Sequence, residues 1–80
     1  MDEIVGFVNG NLIRGKVLNL LSSQKSVDPE RIAKVLRIIP SIADKTLSEL
    51  EEKDLIKLND GKYELTELGN QIVDYIKRVS

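Results

Sequence analysis

Between Ile32 and Gly69 the sequence sets out, without interruption, a short helix, a turn, a longer helix, a tight β-hairpin and the start of a last helix. That order presents one helix and one hairpin outward together. Asp28-Pro29-Glu30 is a strong start for the first helix. The Asp28 side chain is placed to accept a free backbone N–H, Pro29 takes the first helical position where no donor is needed, and Glu30 suits the positive end of the dipole. Ile32, Ala33 and Leu36 then point inward and Glu30, Lys34 and Arg37 outward, and the small Ala33 lets the next helix cross closely. Arg37-Ile38-Ile39 is the turn, and Pro40 opens the longer helix.

In that helix Ala43, Leu47 and Leu50 recur at i, i+4 and i+7, one stripe facing a core. At about 100° of rotation per residue, Ser41, Lys45, Ser48 and Glu52 lie on the opposite side, flanked by Ile42, Asp44 and Glu49. The hairpin is registered from its turn. With Asp60-Gly61 as a two-residue loop, Asn59 pairs with Lys62, Leu58 with Tyr63, Lys57 with Glu64 and Ile56 with Leu65. Ile56, Leu58, Tyr63 and Leu65 then share an apolar face, and Lys57 opposes Glu64 on the wet one.

Thr66 caps the last helix, whose Leu68, Ile72, Tyr75, Ile76 and Val79 make an apolar stripe along its length, with Gly69 beside it permitting close approach of another backbone. The stripe needs cover. The Ile4 to Val8 segment of the same chain is one source and a second copy the other; the expectation is a homodimer with Leu68, Ile72, Tyr75, Ile76 and Val79 at its contact. Ahead of all this, Ile4, Val5, Phe7 and Val8 suggest a short helix, with a strand as alternative. Leu12 to Ser22 is a core helix, with Ile13, Val17, Leu20 and Leu21 on its buried face and Leu18 at the flank.

Eighty residues make one domain with a modest core. The expected fold is mainly α with a small β-hairpin (α+β), a winged helix-turn-helix: a three-helix core and short wing, plus an extra N-terminal segment and a C-terminal helix. Its helix-turn-helix spans 28–53, its wing 55–65 and its last helix 66–79. The absence of Cys and His removes disulfides, thiolate nucleophiles, His-based acid-base catalysis and the common zinc sites. Carboxylates lie among Lys and Arg on solvent-facing helix positions, so no enzyme, cofactor or metal is expected. No segment is long or apolar enough to span a bilayer, and Met1-Asp2-Glu3 opens without a basic region and apolar run. A cytoplasmic protein without a membrane partner is expected.

A formal charge of -1 argues against nucleic-acid binding, because phosphate neutralisation supplies much of that affinity. Its distribution softens the objection. Lys25, Arg31, Lys34 and Arg37 outnumber Asp28 and Glu30, whereas from Pro40 to Asp54 two lysines face five carboxylates.

The run Leu36-Arg37-Ile38-Ile39-Pro40-Ser41-Ile42-Ala43-Asp44-Lys45-Thr46-Leu47, continuing to Leu50-Glu51-Glu52-Lys53-Asp54-Leu55-Ile56, resembles the recognition-helix stretch of small bacterial and archaeal winged helix-turn-helix transcription regulators. Tyr63-Glu64-Leu65-Thr66-Glu67-Leu68-Gly69 resembles the end of their wing and the start of their last helix, and Arg14 to Leu21 resembles their first core helix. In such a fold Ser26-Val27 commonly adds a short strand beside the hairpin. The resemblance implies sequence-specific binding of double-stranded DNA by a homodimer. If the longer helix enters a major groove by its amino-terminal half, Ser41, Lys45 and Ser48 reach base edges and Ile42 meets a thymine methyl. Lys34, Arg37, Lys57 and Lys62 then hold phosphates. Three departures stand out: Asp54 where the family often has Gly, Ile39 where it often has a Ser or Thr cap, and a single outward Lys45. The alternative is a protein-interaction module that meets a basic partner through Glu49, Glu51, Glu52 and Asp54.

Overall fold

The computed structural model describes residues 2–79, in the order α1 (Asp2–Asn9), α2 (Leu12–Gln24), β1 (Ser26–Val27), α3 (Pro29–Leu36), α4 (Pro40–Glu52), β2 (Ile56–Asn59), β3 (Lys62–Leu65) and α5 (Glu67–Val79). The helix ends follow from local chemistry. Asn11 Oδ1 accepts the Ile13 N–H at 2.9 Å at the start of α2, and Asp28 Oδ1 accepts that of Arg31 at 2.9 Å at the start of α3. Arg37 ends α3 in the left-handed region, φ 57°, and the next N–H, of Ile38, donates back to the Ala33 carbonyl at 3.0 Å. Ile39 occupies the capping position of α4 without a side-chain bond, so that helix begins unsatisfied, as its sequence implies.

The first segment is a helix, not the strand left open by its short pattern. Asp2 and Glu3 lie in its first turn, where negative charge suits the dipole. The core helix α2 buries a broader arc than its sequence suggested. Leu18 is enclosed with Val17 and Leu21, while Ile13 and Leu20 are only partly covered. The reason is position: α2 is packed against α1, α3, α4, α5 and the sheet, so no single stripe describes its buried side.

The sheet is antiparallel in the order β1-β3-β2. Asp60 and Gly61 both adopt positive φ, 56° and 81°, as a two-residue hairpin of this twist requires. The observed register is the one derived from that turn, Asn59 with Lys62 through Ile56 with Leu65, and Lys57 Nζ lies 3.5 Å from Glu64 Oε1. The expected apolar face is only half realised. Ile56 is buried, Tyr63 and Leu65 are partly covered, and Leu58 is 52% exposed, because the hairpin runs past the edge of a small core before it turns.

Most of the α5 stripe is covered within the chain, by α2, β3 and α1. Ile72 is a core residue with no exposed surface, and Val73, outside the expected stripe, is buried beside it. Leu68, Tyr75 and Ile76 are partly covered and Val79 is exposed. The start of α5 also fixes the wing to α4. Thr66 Oγ1 donates to the Asp54 carbonyl at 2.6 Å and accepts the Gly69 N–H at 3.0 Å, while the Thr66 N–H donates to the Leu55 carbonyl at 3.1 Å. Asp54 turns the chain there at φ 60°, a conformation that Asp tolerates.

Candidate nucleic-acid interface

The outward face of α4 is set by what its inward face must bury. Ala43, Thr46, Leu47 and Leu50 are all buried, and α4 packs against α3, whose own buried residues include the small Ala33. Ser41, Ile42, Lys45 and Ser48 are consequently exposed together, with Glu52 one turn further along. Lys34 and Arg37 project from the α3 side of a cleft of about 660 Å³ whose α4 side carries Pro40 and Asp44. Two cations thus border the amino-terminal half of α4.

The wing contributes less free charge than its sequence offers. Lys57 is engaged by Glu64 across the hairpin, which leaves Lys62, exposed beside the Asp60-Gly61 turn, as the wing's outward cation. The other end of α4 is acidic, with Glu51 and Glu52 exposed. Burial raises the Tyr63 phenol above its ordinary value, and the nearby Glu51 and Asp44 carboxylates push in the same direction.

One cluster was not anticipated. Arg14 Nη1 donates to the Phe7 carbonyl at 2.7 Å, its guanidinium lies 4.0 Å from the Phe7 ring centroid, and Nε and Nη2 each approach a Glu49 carboxylate oxygen at 3.3 Å. Lys53 Nζ sits 5.5 Å from the same ring. A single side chain therefore ties α1 and α2 to the carboxyl-terminal half of α4. Glu49 and Arg14 are 35 residues apart, and no local pattern signals their pairing. The pairing also takes Glu49 out of the acidic surface on which a basic partner would dock.

Among the described residues no group of His, Cys, Asp or Glu is placed to hold a metal ion, and no helix is long and apolar enough to cross a membrane.

Comparison with known proteins adds a family to this geometry. A family model described as winged helix-turn-helix matches residues 14–80. No curated protein matches the chain significantly. Among solved structures, the reduced form of MarR from E. coli superposes with a TM-score of 0.78 at 26% identity over 81% of this chain and 49% of that one. Wild-type ZitR of Lactococcus lactis gives 0.71 at 31% identity, covering 78% of this chain and 46% of its own. The adhesin competence repressor AdcR of Streptococcus pyogenes gives 0.75 at 25% identity, covering 85% and 55%. The chain thus spans about half the length of these proteins.

Proposed function

The chain belongs to the winged helix-turn-helix family, and from that premise we propose that it is a sequence-specific DNA-binding regulator of transcription that inserts α4 into a major groove. The fold is that of winged-helix regulators such as MarR and not of an enzyme. The observation that carries the proposal is the common exposure of Ser41, Ile42, Lys45 and Ser48 on α4, with Lys34 and Arg37 beside them. In this reading Lys45 and the two serines take base edges, while Lys34, Arg37 and Lys62 hold phosphates. Lys57 contributes only when it leaves Glu64.

Two copies would act together. Leu12 and Val79, 74% and 63% exposed, are the most open large apolar side chains of the described residues. Leu12 and Ile76 border one cleft, and Val79 lies one turn beyond Ile76. That edge, with Leu68 and Tyr75, is the proposed dimer contact, and Ile72 stays in the core of each copy.

Lys45→Ala is expected to weaken binding to a selected duplex about tenfold, the lower range for a lost base contact. Arg37→Ala should weaken binding to all sequences alike and reduce the slope of log affinity against log salt by about 1. Titrations at several salt concentrations measure both. Unchanged affinity in both variants at low salt would remove these residues from the interface, and a flat salt dependence would remove phosphate contact altogether.

A further inference from the structure

The head of α4 carries two large apolar side chains that electrostatics leave unexplained. Ile39 is 59% exposed and Ile42 40% exposed. The Ile42 N–H donates to the Ile39 carbonyl at 3.0 Å, which sets the two residues a single turn apart at the start of the helix. Ile39 moreover stands where Ser, Thr, Asp or Asn would stabilise the helix, and its side chain satisfies none of the first-turn donors. An exposed isoleucine thus replaces a cap at the point that would enter a groove first.

We propose, resting on the reading that α4 occupies a major groove, that Ile39 and Ile42 recognise thymine C5-methyl groups and that this apolar contact is the chief source of base specificity. The chemistry of the exposed set favours it. A guanine is ordinarily read by Arg or Lys and an adenine by Asn or Gln, and α4 has no Arg, Asn or Gln and only Lys45 on its outward face. Serine takes either base and discriminates poorly. The thymine methyl is the one apolar group on the major-groove edge of the bases, and isoleucine is the matching apolar surface.

The patch also has the wrong dimensions for a protein partner. On α4 and its capping residue the exposed large apolar side chains are confined to Ile39 and Ile42, and the later outward positions, Ser48 and Glu52, are polar. Two side chains fall far short of the roughly 800 Å² that each partner contributes to a stable protein interface. Two methyl-sized contacts at the floor of a groove fit them.

The test begins with the duplex that the whole chain selects from a random pool at low salt. Each thymine is then replaced singly by deoxyuridine, which deletes the methyl and leaves every hydrogen-bonding group in place. Affinity should fall about fourfold at each contacted position, the factor for exposing one methyl-sized group. The penalty at one position should vanish in Ile42→Ala and at another in Ile39→Ser, both exposed sites whose folding is checked by circular dichroism. A selected sequence indifferent to uracil at every thymine, or lacking thymine, overturns the inference and leaves DNA binding intact. So does a uracil penalty that persists unchanged in both isoleucine variants. Failure to select any duplex removes the inference and the DNA-binding reading together.

Discussion

Gly69→Ala is expected to lower the stability of the fold by about 2 to 3 kcal/mol, although alanine is the better helix former. A Cβ at position 69 would run into the backbone carbonyl oxygen of Leu55 and crowd the Leu65 side chain. That carbonyl cannot move aside, because it accepts the Thr66 N–H that anchors α5 to the base of the wing. Overpacking against backbone sits at or above the upper end of the usual 1 to 3 kcal/mol, and the gain in helix propensity offsets about 1 kcal/mol of it. For a domain of this size the melting temperature should fall on the order of 10 °C. Gly6→Ala in α1 and Gly15→Ala in α2 should instead stabilise by up to about 1 kcal/mol, since an added Cβ meets nothing within 4 Å at either site. The opposite signs of one substitution at different helical glycines, read by thermal melts, isolate the α5 contact from general helix effects. Equal signs would place the wing and α5 further apart than described.

Arg14→Ala should cost a similar amount, about 2 to 3 kcal/mol, for an unrelated reason. The side chain is 18% exposed and Glu49 30%, so neither charge is freely hydrated. Removing the guanidinium breaks the 2.7 Å bond to the Phe7 carbonyl, uncovers the Phe7 ring and leaves the Glu49 carboxylate half-buried without its partner. Arg14→Lys should recover little of this, because one ammonium cannot reach the carbonyl and both carboxylate oxygens in the planar fork that arginine offers. In a Glu49→Gln background the loss from Arg14→Ala should be smaller, and the difference measures the coupling of the pair. Denaturant titration of the four proteins gives that coupling. A penalty for Arg14→Ala below about 0.5 kcal/mol would mean that the Arg14 bridge to Phe7 and Glu49 adds nothing beyond an ordinary surface ion pair.

The elements that sequence reading placed well are those decided by residues close to one another. The hairpin register follows from Asp60-Gly61 together with alternation on both strands, and the start of α3 follows from Asp28-Pro29. The inward stripe of α4 and its exposed opposite face follow from one helical period. What escaped depends on distant neighbours. Leu18 and Val73 are buried because α2 and α5 each touch several elements, and Leu58 is exposed because the hairpin outruns the core. The Arg14–Glu49 pair joins helices through a contact that periodicity cannot register. The candidate site was legible as a face but not as a charge balance: Lys57 and Glu49 are both engaged, one within the wing and one against Arg14.

That redistribution bears on the weak point of the functional proposal, the acidic second half of α4. With Glu49 paired to Arg14, one carboxylate of that half is engaged while Glu51 and Glu52 stay exposed, and the amino-terminal half keeps Lys34, Arg37 and Lys45 around it. On the proposed reading, pairing of two copies on one duplex would add their phosphate contacts together.

Selection of bound sequences from a random duplex pool at low salt, using the whole chain, tests the account most directly. An enriched palindrome whose half-sites lie about one helical turn apart is the predicted result, since two symmetric copies each place one α4 in successive major grooves. A pool that remains random after repeated rounds, with the protein folded throughout, would contradict the assignment of α4 as a DNA-reading helix.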